Sequence, residues 1–459
     1  MPSDDSGGLL GPLFSGSSAD PELSDRALLQ AMLDAEGALV AASARAGLVP
    51  EEAAAAISAV CQADRFDPGE LGRRAVAAGN PVVPLVAELT EAVTTEAGPE
   101  AARWVHHGAT SQDILDTAWS LVGVRALGPI LEDLEAAAAA AAGLAETHRV
   151  TVMAGRTLGQ QALPTTLGLK AAGWLVAVEE AAAGLARVRR ERLAAQLGGA
   201  AGTLASLGPE GVGVVRHYAE LLGLAEPVLP WHTNRVRVAE LAAALGVVAG
   251  VLGKLALDVT LLAQTEVGEV SEGGQGRGGS STLPHKHNPV TSVLVVAATR
   301  RVPGLVATLL GSMAQEQERA TGAWHGEWRP QVELLRLVGG AAYRTRDLLQ
   351  GLEVHPDRMR ANLEASGGQL MTERIATELA GPLGRTGAQE LVRRLARQAA
   401  DTGTPLRSLL AGDPQVREHL DEAGIDQLLD PQDYLGSAAE LIDRALAAHR
   451  PRRGGADGP

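Results

Sequence analysis

The densest cluster of chemically useful side chains lies in one glycine-rich segment, residues 273–288. Five glycines give its backbone the freedom to close over a ligand. Two adjacent hydroxyls follow at Ser280 and Ser281, and Lys286 and Asn288 come just ahead of a predicted helix. An ammonium group, an amide and the free N–H groups of a helix N-terminus can bind an anion together. These residue types therefore predict a site for an anionic substrate rather than a simple linker.

Two other interpretations of this segment fail on physical grounds. Gly274, Gly276 and Gly279 form a G-x-G-x-x-G pattern, but no strand is predicted before it and no βαβ unit surrounds it, which excludes dinucleotide binding. His285 and His287 flank the lysine, yet two ligands in a loop lack the further partners that zinc needs. We therefore expect no cofactor and no metal.

Composition and charge narrow the class of protein. The net charge of −15 disfavours nucleic-acid binding, and an anionic substrate then needs local cations. The aromatic content of only 2% favours closely packed helices over sheets, which predicts an all-α fold. The most apolar long stretch, residues 241–262, carries Lys254 and Asp258 and is interpreted as a buried helix, so no membrane partner is expected. The single cysteine and the lack of a signal-peptide pattern predict a cytoplasmic location.

Long proline-poor segments predict an elongated helix bundle in the middle of the chain. We expect a small helical N-terminal domain at 1–108, a long bundle at 109–356 with the glycine-rich loop at 272–290, and a small helical C-terminal domain at 357–459 with a disordered tail. The long helices are predicted over 112–148 (interrupted at Gly128–Pro129), 165–197, 234–270, 289–310 and 327–352.

Polar residues before and between the predicted bundle helices are further candidates. Thr110 and Ser111 can cap the helix that follows them, and this role is compatible with binding a substrate carboxylate. Arg156 suits a bidentate carboxylate clamp, with a salt bridge inside the bundle as the alternative. Thr157 and Gln160 are expected polar contacts of the substrate.

Three motifs, in this order along the chain, resemble those of the fumarase/aspartase superfamily. They are Gly108-Ala-Thr-Ser-Gln-Asp-Ile-Leu-Asp-Thr-Ala118, Gly155-Arg-Thr-Leu-Gly-Gln-Gln-Ala-Leu-Pro-Thr-Thr-Leu-Gly168 and the signature loop Gly279-Ser-Ser-Thr-Leu-Pro-His-Lys-His-Asn-Pro289. Within the superfamily, the bacterial 3-carboxy-cis,cis-muconate cycloisomerases are the most similar, over nearly the whole chain. The resemblance implies a homotetramer, with each active site built from three subunits, and a small polycarboxylate substrate.

The same resemblance implies the roles of the site residues. Ser280 would be the general base, made strong enough by Lys286 and the backbone amides of the closing loop. His106 matches a histidine that acts as a general acid, or supports one, in adenylosuccinate lyases. A structural role is equally compatible with His106. His232, which could also begin a helix, and Arg235, which could supply a further cation, are additional candidates for substrate contact.

Three departures from relatives bear on the reaction. Leu158 stands where adenylosuccinate lyases, argininosuccinate lyases and fumarases carry a histidine, and a leucine cannot protonate an amine or hydroxide leaving group. We therefore expect, as the preferred interpretation, a lactonising cycloisomerase of aromatic catabolism. Gln161 and His287, where relatives often have His and Arg, favour the alternative, a lyase expelling a good anion such as nitrite from a substituted succinate. Adenylosuccinate lyase is a weaker alternative, and a non-catalytic helical scaffold is a rival that retention of Ser280 and Lys286 disfavours.

Overall fold

The chain folds almost entirely into helices, which confirms the predicted all-α class. The structure, a computed structural model, describes residues 8–273, 278–279, 282–283 and 285–449. Within them the helices are α1 Asp25–Arg45, α2 Glu51–Val60, α3 Pro68–Ala78, α4 Val82–Ala97, α5 Pro99–Ala102, α6 Ser111–Thr147, α7 Leu167–Glu191, α8 Gly211–Leu222, α9 Val236–Leu262, α10 Val290–Gly311, α11 Ala323–Gln350, α12 Pro356–Glu364, α13 Thr372–Thr402, α14 Leu406–Gly412, α15 Pro414–Arg417, α16 Glu422–Leu429 and α17 Ala438–Ala448.

Two small antiparallel strand pairs interrupt the helices. Strands β1 (Val152–Thr157) and β2 (Gln160–Thr166) form a hairpin between α6 and α7. Strands β3 (Val270–Glu272) and β4 (Leu352–Val354) pair at the two ends of the segment that contains α10 and α11. The hairpin was not expected from the sequence, and it carries the second of the three motifs.

The chain folds into two compact units. The first unit comprises Met1–Leu134, Glu180–Lys254 and Leu294–Thr345. The second comprises Glu135–Glu179, Leu255–Val293 and Arg346–Pro459. The division into three domains at 108 and 356 stays a prediction.

Helix α6 runs without a break through Pro129, contrary to the interruption expected there. A proline inside a helix removes one N–H donor and presses its ring against the preceding turn. In that turn the carbonyl of Val124 accepts a hydrogen bond of 2.9 Å from Nε of Arg189. The bond lies beside the carbonyl of Arg125, which loses its helical N–H donor because residue 129 is proline.

Four helices are long and apolar enough, by length and composition, to cross a membrane: α1, α6, α9 and α10. All four lie within the described part of the chain. Within the chain, 72% of the most apolar window of α6 is buried, against 44% for α9 and 22% for α10. Helices α9 and α10 therefore leave apolar surface uncovered, and the absence of a membrane partner stays a prediction.

The start of α7 packs against backbone in a way that only glycine permits. A Cβ on Gly168 would lie 2.7 Å from the carbonyl oxygen of Ala145 and from Cα of Arg149. Backbone atoms cannot swing aside as a flexible side chain can. Gly173, one turn further along the same helix, has no atom within 4 Å of the corresponding position.

We expect Gly168→Ala to lower the free energy of unfolding by about 1–3 kcal/mol, because the added methyl forces a backbone shift. Gly173→Ala is the matched control and should be neutral or stabilising by roughly 0.5–1 kcal/mol, since alanine suits a helix interior better. Urea unfolding at one fixed protein concentration measures both. Equal effects of the two variants would contradict the close packing at Gly168.

Candidate active site

Asp113 organises the start of α6 in the first unit. This residue is fully buried, and each carboxylate oxygen binds two groups. Oδ1 lies 2.6 Å from Nε2 of His232 and accepts a 2.9 Å bond from the N–H of Gly198. Oδ2 accepts bonds of 2.9 Å from the N–H groups of Gly199 and Thr110. One carboxylate therefore fixes three separate chain segments.

The two candidate hydroxyl residues lie at this fixed point. Helix α6 begins at Ser111, and both Thr110 and Ser111 are half-buried. The backbone N–H of Thr110 is held by the side chain three residues later, as in a capping box. Gly198 must be glycine here, because a Cβ would lie 2.8 Å from Cε1 of His232. The geometry leaves the hydroxyls positioned by a rigid backbone.

His232 is placed inside the first unit rather than at its surface. Its side chain is buried against Asp113, and its carbonyl accepts a 2.9 Å bond from Nε2 of Gln112. Arg319 in turn donates to the carbonyl of Ala200 at 2.9 Å, close to the glycines that Asp113 holds. His232 therefore supports the start of α6, and sequence reasoning did not single out Asp113 as its partner.

Arg235 lies in a buried ion-pair cluster. It is only 2% exposed and donates to Asp116 at 2.8 and 3.0 Å and to Glu327 at 2.5–3.1 Å. Trp324 adds a 3.0 Å indole N–H bond to Asp116, and Gln315 a 2.9 Å bond to Glu327. Burial lowers the pKa of Arg235, but the two carboxylates more than offset this, so the pKa is raised. Each of its three guanidinium nitrogens donates to a carboxylate, and its contact with substrate stays a prediction.

His106 is also paired, but at the edge of the first unit. Its Nδ1 lies 2.6 Å from Oε1 of Glu36, a buried residue of α1. The imidazole itself is half-buried, four residues before Thr110. Burial lowers the pKa of His106, but the charge and hydrogen bond of Glu36, helped by Asp113, raise it above its ordinary value.

Arg156 lies on β1 in the second unit. There it forms a salt bridge, which the sequence left open as the alternative to binding substrate. Its guanidinium makes a bidentate pair of 2.8 and 2.7 Å with Glu269, which is fully buried. The amide of Asn362 donates to the same carboxylate at 2.8 Å. The carboxylate of Glu269 therefore occupies the edge of the guanidinium group that was expected to bind a substrate carboxylate.

The tip of the β1–β2 hairpin is fully exposed. Thr157 pairs with Gln160, and Leu158 and Gly159 form the turn between them. Leu158 is 101% exposed and has a φ of +51°, a backbone conformation uncommon for a residue with a side chain. The described part of the second unit therefore leaves the side chain of Leu158 uncovered.

The signature loop is described only in part, and Ser280 and Ser281 lie outside the described residues. Lys286 is exposed, and no partner of its ammonium group is recorded within the described part of the chain. Asn288 donates through its backbone N–H and its side-chain amide to the carbonyl of Gly278, at 2.8 and 3.0 Å. Residues Gly279 and His287 form an isolated antiparallel bridge. Asn288 therefore holds the two arms of the loop together.

The N-terminus of α10 is not an open anion site. Glu272 accepts hydrogen bonds from the N–H groups of Thr291 and Ser292 at 2.9 and 2.7 Å, and from the Ser292 hydroxyl at 2.7 Å. The carboxylate fills the place in which a substrate anion was expected to contact this helix. Among the described residues no group of three His, Cys, Asp or Glu side chains is arranged to hold a metal ion.

The candidate residues therefore fall into two sets. His106, Thr110, Ser111, His232 and Arg235 belong to the first unit, and their arrangement rests on Asp113, Asp116 and Glu36. The second unit contains Arg156, Thr157, Gln160, Lys286 and Asn288. Sequence reasoning missed the buried carboxylates Glu36 and Glu269, because nothing in a local pattern distinguishes them from acidic residues on a helix surface.

Comparison with known proteins decides the family. A family model described as Lyase matches residues 19–304, and one described as Adenylosuccinate lyase C-terminus matches residues 368–445. Nitrosuccinate lyase of Streptomyces davaonensis is 49% identical, over 96% of this chain and 94% of its own length. The 3-carboxy-cis,cis-muconate cycloisomerase of Pseudomonas aeruginosa is 47% identical, over 93% of each chain. This chain belongs to the fumarase/aspartase superfamily.

Solved structures agree with this assignment. The 3-carboxy-cis,cis-muconate lactonizing enzyme of Pseudomonas putida superposes with a TM-score of 0.91 at 43% identity, covering 96% of this chain and 98% of that one. A fumarate lyase from a Mesorhizobium species superposes with a TM-score of 0.87 at 38% identity, covering 95% and 99%. The protein is thus an enzyme of this superfamily, whose members act on small carboxylates.

We expect Arg235→Met to lower the free energy of unfolding by about 3–5 kcal/mol, because it leaves two buried carboxylates without a cation. Arg216→Met removes an exposed guanidinium of the same unit and should change stability by no more than about 0.5 kcal/mol. Chemical unfolding compares the two variants. If Arg235→Met is as stable as the wild type and only its KM is raised, the result would support the contact between Arg235 and substrate that the sequence predicted.

Proposed function

We propose that this lyase catalyses a reversible β-elimination on a small polycarboxylate, with a leaving group that departs as a stable anion. The observation that carries the proposal is Leu158, which is fully exposed at the tip of the hairpin. A leucine offers no proton to a departing amine or hydroxide. A carboxylate or nitrite anion needs none.

The chemistry follows from the residue types. The Ser280 oxygen takes the proton from the carbon next to a carboxylate, and the electron pair moves into that carboxylate to form an aci-carboxylate dianion. The pair then returns to form the carbon–carbon double bond while the leaving group departs from the adjacent carbon with its own bonding electrons. Cations and dipoles that strengthen their hold as this charge develops lower the barrier.

The proposed substrate contacts are revised by the ion pairs. Lys286 and His106 supply positive charge, and Thr110 and Ser111 supply hydroxyls at the start of α6. Arg156 is paired with Glu269, so we place it as a support of the hairpin that carries Thr157 and Gln160. Arg235 and His232 are placed as supports of the first unit.

Two substrates fit this reaction. Lactonisation of 3-carboxy-cis,cis-muconate, read in reverse, is elimination of a carboxylate, and the similarity to two cycloisomerases supports it. Elimination of nitrite from nitrosuccinate to give fumarate is supported by the 49% identical relative and by Gln161 and His287. Neither reaction calls for protonation of the leaving group, so Leu158 is compatible with both.

We further infer a cytoplasmic homotetramer with active sites shared between subunits. Side chains such as Val247 and Leu257 of α9, and Val293 and Leu310 of α10, are about half exposed and apolar. A second copy that covers them would remove this surface from water. The exposed hairpin tip would likewise gain a role if it entered the site of a neighbouring subunit.

Two assays on the purified enzyme identify the substrate. Loss of the ultraviolet absorbance of the conjugated 3-carboxy-cis,cis-muconate is expected for the cycloisomerase. Equal amounts of fumarate and nitrite released from nitrosuccinate are expected for the lyase. Turnover of adenylosuccinate, with neither of these activities, would contradict the argument from Leu158.

Ser280→Ala should lower kcat by about 10²- to 10⁴-fold on the substrate that is turned over, as expected for loss of a general base. The neighbouring variant Ser281→Ala should lose less than about tenfold, because a binding hydroxyl can be replaced in part by water.

If subunits share sites, mixing Ser280→Ala with an inactive His106→Gln variant under exchange conditions should restore about a quarter of the activity. No recovery on mixing would place all catalytic groups within one subunit.

A further inference from the structure

Glu36 is a carboxylate in an unusual position. It lies in the middle of α1, is 1% exposed, and is flanked along the helix by the buried residues Leu33 and Leu39. Its one recorded partner in the described part of the chain is Nδ1 of His106, at 2.6 Å. A buried carboxylate is costly unless a positive group balances it. Here only the protonated form of His106 supplies that positive charge.

The backbone around His106 fixes how the ring is presented. His106 has a φ of +59°, an uncommon conformation for a residue with a side chain. Its carbonyl accepts a 3.3 Å bond from the N–H of Ala109, which closes a tight turn. Gly108 in that turn packs closely on Leu207, since a Cβ would lie 2.4 Å from Leu207 Cδ2. The turn leads within four residues to Thr110 and the start of α6.

With Nδ1 bound to Glu36, the remaining ring donor of the imidazolium is Nε2–H. No partner of Nε2 is recorded among the described residues, and 19% of the His106 side chain is exposed. This nitrogen is therefore available to a ligand, and His106 precedes Thr110 by four residues. Proton donors next to the N-terminus of a long helix favour an anion.

Other titratable groups act on this pair. Asp113 adds to the rise in the pKa of His106. Cys61 and Tyr218 are buried nearby and feel the charge of Glu36, and burial raises the pKa of the Cys61 thiol to about 12. Both side chains therefore stay neutral around pH 7. Asp34, also near Cys61, is paired with Arg125 at 2.6 Å.

We propose that Glu36 is a positioning residue that holds His106 as an imidazolium and leaves its Nε2–H free to donate to a carboxylate of the substrate. This rests on the proposed function for the identity of the anion. The proposed site thereby gains a cation in addition to Lys286, and a buried carboxylate of α1 maintains its charge.

The test is the pH dependence of kcat/KM in Glu36→Gln. The wild-type activity should fall as pH rises through the pKa of His106, because the cation is lost. Replacing the carboxylate by an amide removes the attraction for the proton, so this alkaline limb should move to lower pH by about one unit or more. Above that limb the variant should show a KM raised about tenfold or more, and activity should return on acidification. Glu36→Asp keeps the charge and should largely restore the wild-type profile.

The chain provides a matched control for this experiment. Nδ1 of His449 lies 2.6 Å from Oε1 of Glu179, the same pair of atoms at the same distance in the second unit. Glu179→Gln should leave the pH profile unchanged. An alkaline limb that stays in place in folded Glu36→Gln would overturn the proposal.

A direct titration separates failure of this inference from failure of the proposed function. In enzyme labelled with 13C-histidine, the His106 signal, assigned by its loss in His106→Gln, should titrate at lower pH in Glu36→Gln. If neither substrate is turned over, this titration still decides whether Glu36 controls the charge of His106. If Glu36→Gln does not fold, the wild-type titration decides, because a His106 signal that titrates at or below the ordinary value for a histidine would refute the proposal.

Discussion

One carboxylate bound to four donors holds the candidate site of the first unit in shape. Asp113 binds two backbone N–H groups of the 198–199 turn, the N–H of Thr110 and the ring of His232. The most distant of these groups, the ring of His232, lies 119 residues along the chain from Asp113. The bonds from Gly198, Gly199 and His232 are buried, so loss of the carboxylate would leave several unsatisfied polar groups at once. The position of the hydroxyls at the start of α6 depends on this single anchor.

The pairing of arginines with carboxylates decides which cations remain for an anionic substrate in this acidic chain. Arg156 and Arg235 were both expected to bind substrate, yet each is neutralised by buried carboxylates of its own unit. Pairing makes both guanidinium groups rigid parts of the scaffold. Among the candidate residues that the structure describes, Lys286 and the proposed imidazolium of His106 are the cations left for a ligand. A substrate would meet few cations, and each would be held in a defined place.

Long elements were predictable from the sequence, because their periodicity and lack of proline extend over many turns. Helix α6 was predicted at 112–148 and runs over Ser111–Thr147, and α10 agrees within two residues. Helix α9 ends at Leu262 instead of near residue 270, since a turn intervenes in which Gly268 has a φ of +60°. The order of the three motifs was enough to indicate the superfamily.

Short elements and long-range partners were beyond prediction. The β1–β2 hairpin contains Gly155, Gly159 and Pro164, which hide the alternation typical of strands. Asp113 resembles an ordinary acidic residue in the first turn of a helix, and its partners 85 and more residues away leave no local trace. The same holds for Glu36, which lies 70 residues from His106. Ion pairs of this kind appear only once the fold has brought distant segments together.

Leu158 contributes almost nothing to the packing of its own unit, since its side chain is fully exposed and its turn is stabilised by the strands on either side. A substitution at that position therefore carries little penalty for folding. The residue at the hairpin tip can therefore change with little loss of stability, whereas the buried ion pairs cannot. New reactions could then arise in this fold through single substitutions at the tip.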